Sequence, residues 1–238
     1  MNFFIAELVA TCVLIFLGNG VVANVVLKNT KGHAGGWLVI TVGWAMAVYM
    51  AVLVAQGSGL AVHMNPVFTL LAGVNNTITW QQVIWQLLGQ FTGAALGALL
   101  VFVTHYNHFT QTEDASTKLA CFACIPTTQY KASNFFNEAI FTALLVLAAK
   151  CIQSPPSGSV GSISALPISL VVLGIGTSLG GTTGYAINPF RDAAPRLVHT
   201  LLPVFKKDGS QWSYGVIPLT APFVGGLAAN ELFKYLQW

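Results

Sequence analysis

Long apolar runs separated by short polar connections dominate the chain. Six of them approach the ~20 residues that carry a helix across the hydrocarbon core of a bilayer: Phe3 to Leu27, Trp37 to Gln56, Val83 to Thr104, Phe135 to Ile152, Ile163 to Gly181 and Val216 to Leu236. Two further apolar pieces, Pro66 to Val74 and Pro189 to Leu202, are too short to cross. The most polar stretch, about His105 to Asn134, reads as one loop between spans. The first run has no basic leader and is long enough to be a span, so a cleavable signal is not expected. The pattern predicts an all-α membrane protein with six transmembrane helices and two half-helices that enter the membrane and turn back.

The half-helices come as a pair. Asn-Pro occurs at Asn65-Pro66 and again at Asn188-Pro189, half a chain apart, and each opens one of the short segments after a glycine-rich approach. Each half also carries a glutamate in its first span, Glu7 and Glu138. The halves, about 1–110 and 130–238, therefore share one order: span, span, half-helix, span. Three crossings per half is an odd number, so the second half enters from the opposite face. That is an inverted repeat within one channel domain, 1–238, and interrupted segments at matching places in such a repeat point to a site near the midplane. Asn is a favoured N-cap, and Pro suits the first helical turn, where an N–H has no partner anyway. Two half-helices meeting at their N-termini would bring free N–H donors and partial positive charge to the bilayer centre. A narrow pore there would hydrogen-bond neutral hydroxylated solutes and oppose cations and protons.

Composition narrows the function further. Among 238 residues, ten are Lys or Arg and seven are Asp or Glu, where a soluble domain at the usual ~25% would carry about 60 charges. Mean hydropathy is +0.69. A disordered tail, a disulfide scaffold and an ordinary soluble enzyme are excluded. A net charge of +3 from scattered cations makes no nucleic-acid-binding patch. The glycine-rich stretches lack phosphate-loop spacing, and no acid, base and nucleophile set converges, so neither catalysis nor a cofactor is expected.

The segments His63-Met64-Asn65-Pro66-Val67-Phe68-Thr69 and Gly184-Tyr185-Ala186-Ile187-Asn188-Pro189-Phe190-Arg191-Asp192 resemble the paired loops of the aquaporin and glycerol-facilitator family, the major intrinsic proteins. The likeness includes Ala6-Glu7, Asn137-Glu138 and the Asn-Pro-x-Arg-Asp-x-x-Pro-Arg pattern, and it covers essentially the whole chain. It implies an aquaporin-like right-handed bundle, a pore in each monomer, a homotetramer and a multi-pass location in the cell membrane with cytoplasmic termini. It places a selectivity filter on Trp44, Gly176, Tyr185 and Arg191. Pore-lining carbonyls would come from Ala61, Val62 and His63 and from Gly184, Tyr185, Ala186 and Ile187. Glu7, Glu138 and Asp192 take the role of loop supports. No histidine tightens the filter as in water-selective members, and Asp192, Arg196, Pro218 and Leu219 match positions that mark the glycerol branch. The expected function is passive diffusion of glycerol, other small neutral solutes and water through the lipid bilayer. A water-selective channel and a coupled transporter using Glu7 or Glu138 are the alternatives.

Several residues depart from the family pattern or lie outside it. The third motif residue, usually Ala, is Val67 in one half and Phe190 in the other, and Leu60-Ala61-Val62-His63 replaces a common Ser-Gly-Ala-His. The bulk of Phe190 either narrows the midplane or points into the monomer, and the second is expected. Gly89, Gly93 and Gly97, and likewise Gly176, Gly180 and Gly184, form ridges suited to close helix packing. His105, His108, Cys121 and Cys124 put H-x2-H and C-x2-C into one loop, a spacing that zinc or a disulfide could use. The loop corresponds to a variable surface loop of the family, and no metal site is assigned. Cys12 and Cys151 read as core thiols, His33 and His199 as ordinary loop or helix-end residues, and Lys206-Lys207 as a solvated pair. On the family topology Lys150 and Lys234 face the cytoplasm while Lys28, Lys31, Lys118, Lys131, Lys206 and Lys207 face outward. This is the reverse of the positive-inside trend.

Overall fold

The computed structural model describes residues 2–153, 165–204 and 207–237. Ten helices follow in order: α1 (Phe3–Val26), α2 (Trp37–Gln56), α3 (Pro66–Val74), α4 (Trp80–Thr104), α5 (Tyr106–Gln111), α6 (Ala115–Ala120), α7 (Lys131–Gln153), α8 (Ala165–Ser178), α9 (Pro189–Leu201) and α10 (Trp212–Tyr235). Five of them, α1, α2, α4, α7 and α10, are long and apolar enough to cross a membrane. The remaining expected span, Ile163 to Gly181, is helical over the 14 residues of α8. Positions 163 and 164 lie outside the described residues, and Gly180 and Gly181 fall in the turn that follows.

Three helix starts sit a turn or so earlier than the apolar pattern suggests, and at one of them a cap sets the start. α4 opens at Trp80, where Thr79 and Gln82 form a capping box. α7 opens at Lys131 and α10 at Trp212, both before the apolar run begins.

Large apolar side chains face outward, while several polar and charged ones are gathered inside. Leu38, Trp80, Ile84, Trp85, Val103, Leu170 and Val216 lie exposed on the outside, while Glu7, Gln86, Gln90, Glu138, Asp192, Arg196 and His199 are fully buried. This inverts a soluble protein and suits a lipid surround, where no hydrophobic force draws helices together and close backbone approach must hold them. Gly89, Gly93 and Gly97 of α4 supply that approach: a Cβ on Gly97 would stand 2.7 Å from the Cys12 carbonyl oxygen of α1, and Cβ atoms on Gly89 and Gly93 would strike the carbonyls of Phe4 and Leu8. In the second half, Gly225 of α10 meets the Ala139 carbonyl of α7 in the same way. The α1–α4 and α7–α10 pairs are thus two copies of one interface, as an inverted repeat requires.

The second glycine row departs from expectation. Gly176 and Gly180 do not face a helix backbone; they cup the ring of Tyr185, whose Cζ lies 2.9 Å from where a Gly176 Cβ would be. The 105–134 segment also differs from a plain surface loop. It holds α5 and α6, and its apolar run folds back so that Phe109, Leu119, Cys121, Phe122 and Ala123 join the main core. Asp114 caps α6 by accepting from the Thr117 amide (2.6 Å), and that bond with the Ser116 hydroxyl's holds the Asp114 carboxyl down at about 2.

Cys12 and Cys151 are half-buried rather than core residues. Lys207 is not a solvated loop residue: its ammonium donates to the carbonyls of His199, Thr200 and Leu202, closing the C-terminus of α9. His33 is exposed, but His199 is fully buried, its Nδ1 paired with the Ser210 hydroxyl at 2.8 Å.

Candidate functional site

The two half-helices meet through their caps. The Asn65 side-chain oxygen accepts from the Val67 amide (3.0 Å), and that of Asn188 accepts from the amides of Phe190 (3.1 Å) and Arg191 (3.2 Å). Each side-chain NH2 then reaches across to the other loop: Asn65 Nδ2 donates to the Ile187 carbonyl (2.9 Å) and Asn188 Nδ2 to the Met64 carbonyl (2.7 Å). An amide NH2 has two hydrogens, so each asparagine keeps one donor for whatever occupies the space between them. Met64 and Ile187, each directly before its Asn, have positive φ (54° and 44°). Strained backbone of this kind persists only where its surroundings over-determine it.

Glu7 and Glu138 supply the over-determination. Glu7 accepts from the amides of His63 (2.6 Å) and Met64 (2.8 Å), one on each carboxylate oxygen. Glu138 does the same for Ala186 (3.0 Å) and Ile187 (3.1 Å). With both oxygens engaged and both residues fully buried, the carboxylates hold the loops and do not border the cavity described next.

A cavity of about 410 Å³ runs along the junction. Its lining joins aliphatic side chains of the helices, such as Leu14, Val48, Val52, Leu145, Ile168 and Val172, to Val62, His63, Met64, Asn65, Tyr185, Ala186, Ile187 and Asn188 of the two loops and their caps. Backbone left outside helices is tolerable at membrane depth only where it borders such a wet space. Ala61 and Gly184, both expected to present carbonyls, are not among the lining residues. The Ala61 carbonyl accepts from Gln86 Nε2 (3.0 Å) and the Gly184 carbonyl from Cys124 Sγ (3.2 Å). Because Gln86 points its NH2 at Ala61, its oxygen faces His63 Nδ1 at 2.7 Å and takes the ring proton. That assignment leaves His63 Nε2 a bare acceptor.

Among the lining residues, the Arg191 guanidinium lies 4.3 Å from the centroid of the Trp44 ring. Tyr185, also lining the cavity, stands edge-on to Trp37 (5.8 Å). Gly176, the fourth residue of the expected filter, sits behind Tyr185 and does not line the cavity; its carbonyl accepts from Trp37 Nε1 (2.9 Å). Its lack of a side chain still matters, because it gives the tyrosine ring its seat. Gly18 performs the same service for Trp44, whose ring fills the place of a Cβ there. Directly after Arg191 on α9, Asp192 and Arg196 form a fully buried pair, with Nε–Oδ1 at 2.7 Å and Nη2–Oδ2 at 3.0 Å. The two also bracket one loop residue: Asp192 accepts from the Cys124 amide (2.7 Å), and Arg196 donates to the Cys124 carbonyl (2.9 Å).

The unusual third motif residues point away from the cavity. Val67 packs where Gly226 of α10 leaves room for its methyl, and the Phe190 ring stacks edge-on against Phe91 of α4 at 5.3 Å. The bulk is absorbed between helices. Phe190→Ala is therefore expected to leave solute permeability unchanged and to lower the melting temperature in detergent. The loss should be about 1–3 kcal/mol, below the range for a fully buried ring because Phe190 is half-buried.

The four His and Cys residues of the 105–134 segment do not converge. His105 and His108 rings stand 6.3 Å apart, the His108 ring bonds the Lys28 carbonyl, and Cys121 donates to the Thr117 carbonyl. Cys12, Cys121 and Cys124 are free thiols, and among the described residues no group of His, Cys, Asp and Glu could hold a metal. Gln86, Gly18 and the Cys124 backbone belong to the site yet escape sequence reasoning. A polar Gln inside an apolar span was the one available signal.

A family model described as major intrinsic protein matches residues 1–233. The chain is 41% identical to a probable glycerol uptake facilitator protein of Thermotoga maritima, over 99% of this chain and all of that one. It is 40% identical to the glycerol uptake facilitator protein of Streptococcus pneumoniae, over 98% and 99%. The X-ray structure of the aquaglyceroporin from Plasmodium falciparum superposes with a TM-score of 0.85 at 26% identity, covering 98% of this chain and 95% of that one. The inverted repeat, the crossed asparagines and these likenesses agree: the chain belongs to the major intrinsic protein family.

Proposed function

We propose that the chain is a passive membrane channel through which glycerol and similar small neutral solutes, together with water, diffuse down their gradients while ions and protons are held back. The observation that carries this reading is the mixed lining of the cavity, in which aliphatic side chains stand beside His63, Asn65, Asn188 and Arg191. A polyol has the same mixed character, hydroxyls to be hydrogen-bonded and C–H to lie against apolar surface. Relatives named as glycerol uptake facilitators support the solute class over a water-only channel.

Trp44, Tyr185 and Arg191 form the filter in this reading, with Tyr185 seated on Gly176 and Trp44 on Gly18, and Arg191 offers fork-like donors to hydroxyl oxygens. The reading requires no cofactor. Glu7 and Glu138, with every carboxylate oxygen bonded to a loop amide, support passive rather than coupled transport. Resemblance to the family supports a homotetramer in the cell membrane with cytoplasmic termini.

The deciding experiment is stopped-flow light scattering on proteoliposomes with glycerol as osmolyte. Reswelling well above that of empty vesicles, and insensitive to an imposed proton or sodium gradient, is the expected result. Reswelling at the empty-vesicle rate would overturn the proposal, and a response to an ion gradient would restore the coupled alternative.

A further inference from the structure

The filter loop is gripped from two sides, and only one grip belongs to the repeat. Glu138 holds the amides of Ala186 and Ile187 from below. From the other side Cys124, in the segment between α6 and α7, donates its thiol to the Gly184 carbonyl at 3.2 Å. Between these grips the backbone takes positive φ at Gly184 (86°), Tyr185 (39°) and Ile187 (44°). A glycine fits the first of these without strain, but Tyr185 does not, so its position depends on what restrains the residues around it.

Cys124 is itself immobilised. Its amide donates to Asp192 and its carbonyl accepts from Arg196, both buried. It touches Gly184 directly: a Cβ at Gly184 would lie 3.1 Å from Cys124 Sγ and 3.3 Å from Cys124 Cβ. Burial pushes the Cys124 thiol up, so the sulfur stays protonated and remains a donor. The first half has no counterpart from this segment; there the loop carbonyl, that of Ala61, takes its bond from Gln86 of α4.

We propose that Cys124 is a positioning residue for solute selection: its thiol fixes Gly184, and through Gly184 the ring of Tyr185 against Arg191 and Trp44, so that the 105–134 segment sets the width of the filter. This rests on the channel reading above. A thiol is a weak donor, so the effect belongs in selectivity rather than in folding.

The readout is the ratio of glycerol to ribitol permeability in proteoliposomes, which cancels the number of channels per vesicle and so is blind to lost protein. Cys124→Val removes the donor and adds a methyl-sized branch, and Cys124→Ser keeps a donor. The valine variant is expected to lower the ratio about two- to fivefold, the range for loss of one weak hydrogen bond, and the serine variant to restore most of it. Cys124→Ala, measured in parallel, removes the donor without adding a branched side chain and should move the ratio the same way if valine does not reconstitute. A wild-type ratio in the valine and alanine variants, beside a wild type that conducts glycerol, overturns this proposal alone. A wild type that conducts no polyol overturns the channel reading and this proposal with it.

Discussion

Proteoliposomes carrying Arg191→Val are expected to dissipate an imposed pH gradient far faster than wild type while still passing glycerol. The guanidinium belongs to a residue that lines the cavity, it lies 4.3 Å from the Trp44 ring, and only 8% of the residue is exposed. A cation ~5 Å from that fixed charge, at an effective dielectric of about 20, meets ~3 kcal/mol of repulsion, about a hundredfold in rate. Valine removes that repulsion. The half-helix N-termini at Asn65 and Asn188 keep roughly half a positive charge each, so the variant should leak without becoming an open cation pore. Glycerol loses two donors and gains width, and its permeability should stay within about fivefold, since a hydrogen bond to a charged group contributes ~1.5–3 kcal/mol and the gain in width opposes the loss. Arg191→Lys separates charge from shape: it keeps the charge, loses the flat fork, and should retain the proton barrier. A trapped pH-sensitive dye reports proton entry directly. Wild-type leakage in the valine variant would remove Arg191 from the filter.

How much of this is legible in the sequence depends on whether a feature is local or arises from what the chain brings together. The spans, both Asn-Pro starts and the intramembrane glutamates are local signals, because bilayer thickness and helix capping act on neighbouring residues. Glu7 and Glu138 are named as loop supports by the family resemblance, since an intramembrane carboxylate taken by itself reads equally as a transport group. The direction in which Phe190 points is harder to read, because it depends on Phe91 lying a hundred residues away on α4. Gly176, which the resemblance places in the filter, stands behind Tyr185 and off the cavity lining. Its absent side chain seats Tyr185 instead of widening the ring. The 105–134 segment misleads for a related reason. Its polar composition hides one short apolar run, and burial of Leu119, Cys121 and Phe122 is decided by the helices they pack against rather than by the segment itself.

The second large effect is expected at Asp192, where stability and the site share one interaction. Asp192→Asn leaves Arg196 fully buried with its charge uncompensated, and breaking such a pair costs about 3–5 kcal/mol. Three carbonyls, those of Cys124, Ser210 and Gln211, still accept from the guanidinium, which argues for the lower end of that range. The asparagine NH2 adds its own difficulty, since it must face either an arginine N–H or the Cys124 amide, and donor meets donor in both places. The variant should lose most of its monodisperse fraction on size exclusion and melt well below wild type. Arg196→Met should fail for the mirror reason, an unpaired buried carboxylate. Combining Asp192→Asn with Arg196→Met removes both charges, and the double variant should be more stable than either single one, because the cost lies in the unpaired charge and not in the absence of the pair. Strictly additive losses would mean that the two residues support the fold separately. In that case the buried pair would not be what ties the first turn of α9 to the segment carrying Cys124.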